Sequence, residues 1–316
     1  MNLPNIDEKI MPRVSFGEAL VELAEQFPTL RVFDADVCAS TQTVYFRDKY
    51  PTRFYQMGIA EANMVGAAAG MATVGLTPFI STFAVFLAKR ALDQIRVSVA
   101  YPNLNVKING AYGGLPTGQA GATHSSVQDI SIMRSMPNMK VLVPGDPLET
   151  KLAVKLALET PGPVYLRTVR CAVPVIFDKG HTLTLGKGEI LHEGKDVAII
   201  STGMMTPRAL YAARSLAKEG IRVRHIHFAS IKPIDEEMIR SAAQDCGIIV
   251  TVENHGVLGG LGGAVAEVVG DSSPCIVKRL GFPDIFLESG DDEAIFHRYN
   301  LSEQGIVETV KNLLKK

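Results

Sequence analysis

The chain has 316 residues, of which 47% are apolar and 21% are charged, and its formal net charge is -1. This composition is typical of a globular protein with about two domains, and the balanced charge offers neither a polybasic patch for nucleic acid nor an acidic tail. No uninterrupted apolar run reaches the roughly 18 residues that a membrane-spanning helix requires.

The N-terminal segment and the cysteines favour a reduced, cytoplasmic setting. Asp7 and Glu8 interrupt the first residues, and the segment lacks the apolar centre of a signal peptide. The four cysteines lie far apart and form no CxxC pair, so neither a zinc site nor a disulfide framework is predicted. We therefore expect no metal site built by this chain alone.

Strand-like and helical patterns alternate through the first half of the chain. Ser15 and Glu18 predict a capping box for a helix that ends near Gln26. The strands predicted after it cover residues 31–35, 54–57, 78–81, 105–109, 140–143 and 163–167, and the helices cover 61–74, 85–100 and 147–159. This alternation predicts a mostly parallel sheet with helices on both faces.

The pattern breaks between about residues 168 and 194, where prolines and glycines predict turns. We interpret 171–194 as a linker with some hairpin structure, between a first domain at 1–170 and a second at 195–316. The second domain has predicted strands at 197–201, 223–227, 247–252 and 275–280, and helices at 207–218, 236–244, 260–269 and 303–314. The predicted fold is two α/β domains with mostly parallel sheets.

Glu61 stands where a strand gives way to a helix of small and apolar residues. A glutamate in the first turn of a helix is favoured by the helix dipole, and the residues alone leave this structural interpretation open. However, Ile59, Met64 and Val65 flank Glu61 and indicate that its carboxylate is partly buried. A partly buried carboxylate is a candidate general acid or base.

Several longer segments resemble transketolases, which are thiamine-diphosphate enzymes. FYQMGIAEANMVGAAAGMATVG, PFISTFAVFLAKRALDQIR and GGLPTGQAGATHSSVQDISIMR resemble their pyrimidine-binding domain. STG, IKPID and ENHGVLGGLGGAVAE resemble their C-terminal domain. The resemblance covers essentially the whole chain. Deoxyxylulose-phosphate synthases and the β subunits of 2-oxo-acid dehydrogenases share this architecture, so the family is better defined than the reaction.

The resemblance implies a cofactor site. Glu61 is implied to be the catalytic glutamate, which hydrogen-bonds the cofactor's aminopyrimidine and promotes formation of the ylid nucleophile. Phe83 and Phe86 are implied to hold this ring by stacking and apolar contact. Asp36 is implied to lie near the thiamine, and His124 to contact sugar oxygens or shuttle protons. From the residues alone, the two phenylalanines also fit a helix core, and His124 also fits a solvated loop.

The resemblance also implies a site for the phosphate of the acceptor sugar, formed by Arg13, Ser40 and Arg167. Tyr112 stands where the family has a histidine in this cluster. Two guanidinium groups suit a phosphate dianion through charge-assisted bonds. The residues alone leave two alternatives open, namely that Arg13 begins a solvated tail and that Arg167 makes a structural ion pair.

Two positions depart from the family pattern. Lys89 replaces a third aromatic residue of the cofactor pocket, and Ala120 replaces an aspartate that reads a substrate hydroxyl. The second change indicates a different configuration or class of substrate. The donor and acceptor sugars are not predicted.

Two other motifs do not predict a function. Residues 259–263 form a Gly-rich turn, but the spacing misses the dinucleotide-binding fingerprint. His225 and His227 alternate on a predicted strand and are expected to point to opposite faces, so together with His255 they do not indicate a metal site. Histidines on a strand without nearby carboxylates are more often structural.

The chain lacks the family's magnesium-binding Gly-Asp-Gly segment, since the Gly-Asp pairs at 145–146, 270–271 and 290–291 continue differently. Magnesium takes oxygen ligands, and in the family these come with the diphosphate site of a separate domain. The resemblance therefore implies a split enzyme, in which an N-terminal transketolase subunit binds the magnesium and the diphosphate of the shared cofactor.

The predicted function is that of the C-terminal subunit of a split transketolase, active only with its partner. It would transfer a two-carbon ketol unit between sugar phosphates, as in the pentose phosphate pathway. We expect homodimerisation through the first domain within an α2β2 assembly.

Three alternatives stay open. In the first, the chain is half of a deoxyxylulose-phosphate synthase. In the second, it is a β-type subunit of a 2-oxo-acid dehydrogenase. In the third, it is a non-catalytic scaffold or regulatory subunit. The phosphate cluster that includes Arg13 argues against the dehydrogenase. The intact Glu61, Phe83 and Phe86 argue against a decayed copy.

Overall fold

A computed structural model describes residues 8–115 and 117–315. The parts of the predictions that fall on residues 1–7, including Asp7, and on residue 316 lie outside the described residues. The strands, in chain order, are β1 (Lys9–Ile10), β2 (Leu30–Asp34), β3 (Phe54–Gln56), β4 (Thr77–Phe83), β5 (Lys107–Ala111), β6 (Lys140–Leu142), β7 (Val164–Arg167), β8 (Val173–Pro174), β9 (Glu189–His192), β10 (Val197–Ser201), β11 (Val223–His227), β12 (Ser230–Lys232), β13 (Ile248–Gly256) and β14 (Ile276–Phe282).

The helices are α1 (Pro12–Leu23), α2 (Cys38–Thr41), α3 (Val44–Lys49), α4 (Glu61–Thr73), α5 (Ala84–Leu87), α6 (Leu92–Gln94), α7 (Asp129–Ser135), α8 (Pro147–Glu159), α9 (Met205–Lys218), α10 (Glu236–Cys246), α11 (Leu261–Ser272), α12 (Asp292–Arg298) and α13 (Glu303–Leu314). No helix within the described residues combines the length and the apolar character needed to cross a bilayer.

The first sheet has the strand order β12-β6-β7-β5-β4-β2-β3. All neighbouring pairs in it are parallel except β12 with β6. The central strand β5 is buried along its whole length, as expected for a parallel sheet covered by helices on both faces. Because the strands are parallel, their carboxyl ends meet at one edge of the sheet, where ligands of open α/β sheets bind.

The second sheet has the order β14-β13-β10-β11-β9, and only β9 runs antiparallel to its neighbour. Strand β10 is buried throughout. The prediction of two α/β domains with mostly parallel sheets is confirmed.

Two strands belong to a different sheet from the one that the predicted domain boundaries imply. Strand β12 lies in the second half of the chain but pairs with β6 of the first sheet. Strand β9 lies in the predicted linker but pairs with β11 of the second sheet. The expected hairpin in the linker is wrong, because β8 pairs instead with β1 near the N-terminus. The two sheets stay separate, but β9 joins the linker to the second sheet and β12 joins the second half of the chain to the first sheet.

Two local predictions are also wrong. The capping box fails because α1 already begins at Pro12, which suits a first helical position, so Ser15 lies buried inside the helix. The helix predicted at 85–100 is broken into α5, α6 and a π-helical turn, Ile95–Ala100. Wide turns of this kind insert an extra residue into a helix, and periodicity alone does not reveal them.

His225 and His227 lie on the same face of β11, so the prediction of opposite faces is wrong. Residues i and i+2 of a strand share a face. His225 Nε2 lies 2.8 Å from Ser201 Oγ, Ser201 bonds Thr206, and Thr206 Oγ1 lies 2.8 Å from His227 Nδ1. This buried polar chain runs from the second sheet toward the first domain.

The hydrogen bonds of His227 continue to residues of the first domain and of the linker. His227 Nε2 lies 2.8 Å from Glu149 Oε2 on α8, and His181 Nε2 lies 3.2 Å from Glu149 Oε1. His181 Nδ1 also lies 3.3 Å from Glu189 Oε2. Burial lowers the pKa of His181, but the hydrogen bond and charge of Glu149 outweigh burial and leave this pKa above its ordinary value. His181 thus bridges a helix of the first domain and a strand of the second sheet.

We predict that His181→Gln destabilises the protein more at pH 6 than at pH 9. The folded pKa is raised, so the stabilisation is fully present below the ordinary pKa of 6.5 and is lost as the pH rises through the folded pKa. Loss of hydrogen bonds to a charged group costs about 1.5–3 kcal/mol. Urea unfolding at both pH values measures the effect, with the exposed His297→Gln as control. An equal loss at both pH values would contradict the role of the imidazolium.

Candidate functional site

Side chains from distant parts of the sequence gather at the carboxyl edge of the first sheet. Glu61 is the first residue of α4, which follows β3. Phe83 ends β4, and Tyr112 directly follows β5 with a left-handed φ of 59°. Arg13 comes from the first turn of α1. The parallel topology brings these positions together although up to 99 residues separate them.

Glu61 is buried and paired with a cation. Its side chain is 2% exposed, and Arg90 Nη1 donates to Oε1 at 2.9 Å and to Oε2 at 3.1 Å. The position at the start of α4 also favours a negative charge through the helix dipole. The carboxylate thus meets the expectation of partial burial, and its partner Arg90 was not predicted from the sequence. Arg90 lies in the break between α5 and α6, which the periodicity did not show.

Four rings form a group that meets this ion pair where Arg90 lies over the Phe86 ring. The ring centroids of Phe83 and Phe86 are 5.7 Å apart, and Phe83 stacks on Tyr112 at 4.3 Å. His124 meets Phe83 and Phe86 edge-on at 6.0 and 5.6 Å. Both phenylalanines keep partly exposed surface, so they do not belong to a closed helix core. The structure therefore brings the predicted aromatic residues and His124 together in one group.

His124 is presented by a loop that the second domain holds. The backbone N–H of Gly118 donates to Asp292 Oδ1 at 2.7 Å, and Gly290 N–H donates to the Gly118 carbonyl at 2.9 Å. Gly121 has a φ of 69°, and a Cβ there would lie 2.3 Å from Ser289 Oγ. His124 Nδ1 lies 2.9 Å from Thr123 Oγ1. The loop thus requires both domains for its conformation.

The two departures from the family pattern lie beside this loop. Ala120 is exposed within it. Lys89 is exposed as well, and its Nζ donates to Gln128 Oε1. Neither position therefore adds an aromatic ring or a carboxylate to the site.

Arg13, Ser40 and Tyr112 form the other end of the site. Arg13 Nη1 donates to the Ser40 carbonyl at 3.0 Å and to the Tyr112 hydroxyl at 2.9 Å. Arg13 Nε is buried and has no acceptor among the described residues. Arg170, which the sequence did not predict, lies with its guanidinium carbon 5.9 Å from the centre of the Tyr112 ring and is exposed. The two guanidinium groups flank one tyrosine, an arrangement that suits an anion.

Arg167 does not join this end as a free cation. It is 3% exposed, and its Nε and Nη2 donate to the two oxygens of Asp129 at 2.8 and 3.1 Å. Nη2 also donates to the carbonyls of Ser126 and Asn254, both at 2.9 Å. Burial raises the pKa of Asp129, but the charge and hydrogen bond of Arg167 outweigh burial and hold this pKa below its ordinary value. The surroundings of Arg167 therefore fit the alternative that it makes a structural ion pair, here with Asp129.

Asp36 lies at the edge of the site, and the buried Asp34 supports its loop. Asp36 is exposed, has a φ of 64°, and donates its N–H to Gln56 Oε1 at 2.7 Å. Asp34 accepts from Val37 N–H at 2.6 Å and from the Thr41 hydroxyl at 2.8 Å. Burial raises the pKa of Asp34. Asp34 thus holds the turn that presents Asp36, a role the sequence did not reveal.

The group of residues fits one end of a thiamine cofactor. A buried carboxylate beside partly exposed aromatic faces suits a flat ring that carries nitrogen atoms. Within the described residues, no three His, Cys, Asp or Glu side chains converge so as to hold a metal ion. The site therefore provides contacts suited to a flat ring.

Comparisons with known proteins agree along the whole chain. The family model described as "Transketolase, pyrimidine binding domain" matches residues 8–175, and "Transketolase, C-terminal domain" matches residues 186–306. A Methanocaldococcus jannaschii protein named as a transketolase C-terminal section is 42% identical over 307 residues, which cover 96% of each chain. The 6-deoxy-6-sulfo-D-fructose transketolase subunit of a Clostridium species is 38% identical, and the match covers 96% of this chain and 94% of that one.

The same relationship holds for a solved structure. The protein titled "Split gene transketolase, inactive beta4 tetramer" superposes with a TM-score of 0.91 at 45% identity, covering 97% of this chain and 99% of that one.

We predict that Arg167→Ala lowers the free energy of unfolding by about 3–5 kcal/mol, because it leaves the buried Asp129 charge without its partner. Urea unfolding followed by circular dichroism measures the change. The control is Arg170→Ala, three residues away and exposed, which should change stability by less than about 0.5 kcal/mol. If Arg167→Ala also changed the free energy of unfolding by less than about 0.5 kcal/mol, the buried pair would not be structural.

Proposed function

The chain belongs to the transketolase family, and on this premise we propose that it is the pyrimidine-binding subunit of a split transketolase, which transfers a two-carbon ketol unit between sugar phosphates. The observation that carries the proposal is Glu61, a buried carboxylate whose partner Arg90 also contacts Phe86, one of two partly exposed phenylalanine rings that lie together. A non-catalytic subunit would have no chemical need for this combination.

The residues of this chain act on the ring end of the cofactor. When bound, thiamine diphosphate supplies the nucleophilic carbon for ketol transfer. Glu61 would hydrogen-bond a ring nitrogen of the aminopyrimidine, and Phe83 and Phe86 would orient the ring and shield it from water. His124 meets the same rings edge-on and would contact sugar oxygens or shuttle protons. Asp36, exposed near the site, contacts the thiamine or the neighbouring subunit.

The diphosphate and its magnesium belong to a partner subunit in this proposal. The support is the whole-length similarity to a split-gene transketolase that is described as an inactive beta4 tetramer. The relative from a Clostridium species is likewise named a subunit. An N-terminal transketolase subunit that carries the diphosphate site would complete an active α2β2 enzyme in the cytoplasm.

The far end of the site receives the anionic group of the sugar. Arg13 and Arg170 flank Tyr112, at the opposite end of the aromatic group from Glu61. Arg13 is the stronger candidate because its buried Nε has no acceptor in the described part of the chain. Arg167 supports the site through Asp129 and is not proposed to contact the anion.

We predict that the purified chain alone does not bind thiamine diphosphate with micromolar affinity, since it supplies contacts only for the ring and leaves the charged end in water. Calorimetric titration with cofactor and magnesium measures this. After addition of the N-terminal subunit, exchange of the thiazolium C2 proton, followed by quenched-flow NMR, should become rapid. Glu61→Gln should slow this exchange by roughly 100-fold or more.

The exposed Glu25→Gln serves as the matched control and should exchange at the native rate. Ketol transfer by the isolated chain would refute the split enzyme. Native exchange in Glu61→Gln would refute the assignment of Glu61.

We further predict that Arg13→Ala lowers kcat/KM for a phosphorylated acceptor far more than for its unphosphorylated analogue. The loss of one charge-assisted contact costs about 1.5–3 kcal/mol, or roughly 10- to 100-fold. Steady-state kinetics of the assembled enzyme with both acceptors measure the ratio. Arg240→Ala, on α10 of the second domain, is the control cation. An equal effect on the two acceptors would remove Arg13 from the anion site.

A further inference from the structure

We propose that Arg90 is a positioning residue that fixes the plane of the Glu61 carboxylate before the pyrimidine ring binds. The inference rests on the function proposed for Glu61. Arg90 was not predicted from the sequence, and it contacts both the Glu61 carboxylate and the Phe86 ring.

A single nitrogen of Arg90 spans both carboxylate oxygens. Nη1 lies 2.9 Å from Oε1 and 3.1 Å from Oε2, so the carboxylate cannot rotate without losing one of the two hydrogen bonds. Arg90 is the only side chain in the described structure with a hydrogen bond to the Glu61 carboxylate. A buried carboxylate that loses its partner is strongly destabilised. The pair therefore determines the orientation of the Glu61 carboxylate.

The other contact of Arg90 is with the aromatic wall. Its guanidinium carbon lies 4.3 Å from the centre of the Phe86 ring, the distance of a cation–π contact. Arg90 is therefore held on two sides, by Phe86 and by Glu61, although 54% of its side chain is exposed. Through Arg90, the carboxylate and the ring that are proposed to hold the pyrimidine are fixed relative to each other.

The break between α5 and α6 puts Arg90 in this place. The N–H of Arg90 bonds the Phe86 carbonyl at 2.8 Å, and the N–H of Ala91 shares that carbonyl at 3.4 Å. This wider turn ends the helix, so the neighbouring cation Lys89 is directed to Gln128 while Arg90 reaches Glu61. The selectivity between two adjacent cations shows that the contact depends on backbone geometry and not on a general excess of positive charge.

A double-mutant cycle on the isolated chain tests the pair without the cofactor. Arg90→Met keeps an apolar contact with Phe86 but removes the charge, and it should lower the melting temperature by about 2–6 °C when Glu61 is present. In the Glu61→Gln background the same change should cost less than about 1 °C. Lys89→Met is the matched control, and its effect should add to that of Glu61→Gln without coupling.

The assembled enzyme tests positioning against mere stability. Arg90→Met should slow exchange of the thiazolium C2 proton at least about 10-fold at saturating cofactor, whereas cofactor affinity should change less than about 3-fold. Arg90→Lys retains a cation and should recover part of the exchange rate. A purely structural role would lower stability and leave the exchange rate of the folded enzyme at its native value.

The outcomes separate this inference from the proposed function. If the cycle shows no coupling, or if Arg90→Met exchanges at the native rate while Glu61→Gln does not, Arg90 has no positioning role and the proposed function stands. If Glu61→Gln itself exchanges at the native rate, the proposed function fails and the positioning role fails with it, whatever the cycle shows.

Discussion

The buried guanidinium of Arg167 joins the parts of the chain on which the site depends. It pairs with Asp129 at the start of α7 and donates to the carbonyls of Ser126 and Asn254. Ser126 lies in the segment that follows His124, and Asn254 belongs to β13 of the second sheet. Asn254 in turn accepts a hydrogen bond from Leu115 N–H at 3.0 Å. One cation therefore fixes a strand of the first sheet, the loop segment after His124 and the second domain relative to one another.

The sequence predicted the site wherever residue type alone carries the chemistry. Glu61, Phe83, Phe86 and His124 stand in recognisable segments, and the parallel sheet brings them together as the alternation of strands and helices implied. Arg90 was not predicted because its contact with Glu61 depends on the break between α5 and α6, and the hydrophobic periodicity of the sequence does not show this break. Their functional roles remain predictions.

Other differences have equally local causes. Arg167 was grouped with the phosphate ligands because a sequence shows a cation but not its buried partner Asp129. The capping pattern at Ser15 gave way to Pro12, which already starts the helix. The faces of His225 and His227 follow directly from the period of a strand, and their hydrogen bonds to Ser201 and Thr206 show that they share one face. Pairing between distant segments, such as β12 with β6, carries no sequence signal at all.

The pairing of β12 with β6 bears on how such a protein can be divided in evolution. Strand β12 covers the outer edge of the first sheet, and Lys232 of that strand donates to the carbonyls of Arg134 and Met136. A gene fission at the linker would strip this cover and leave β6 with an open row of backbone donors and acceptors, which invites aggregation. Strand β12 therefore makes the edge of the first sheet depend on the second half of the chain.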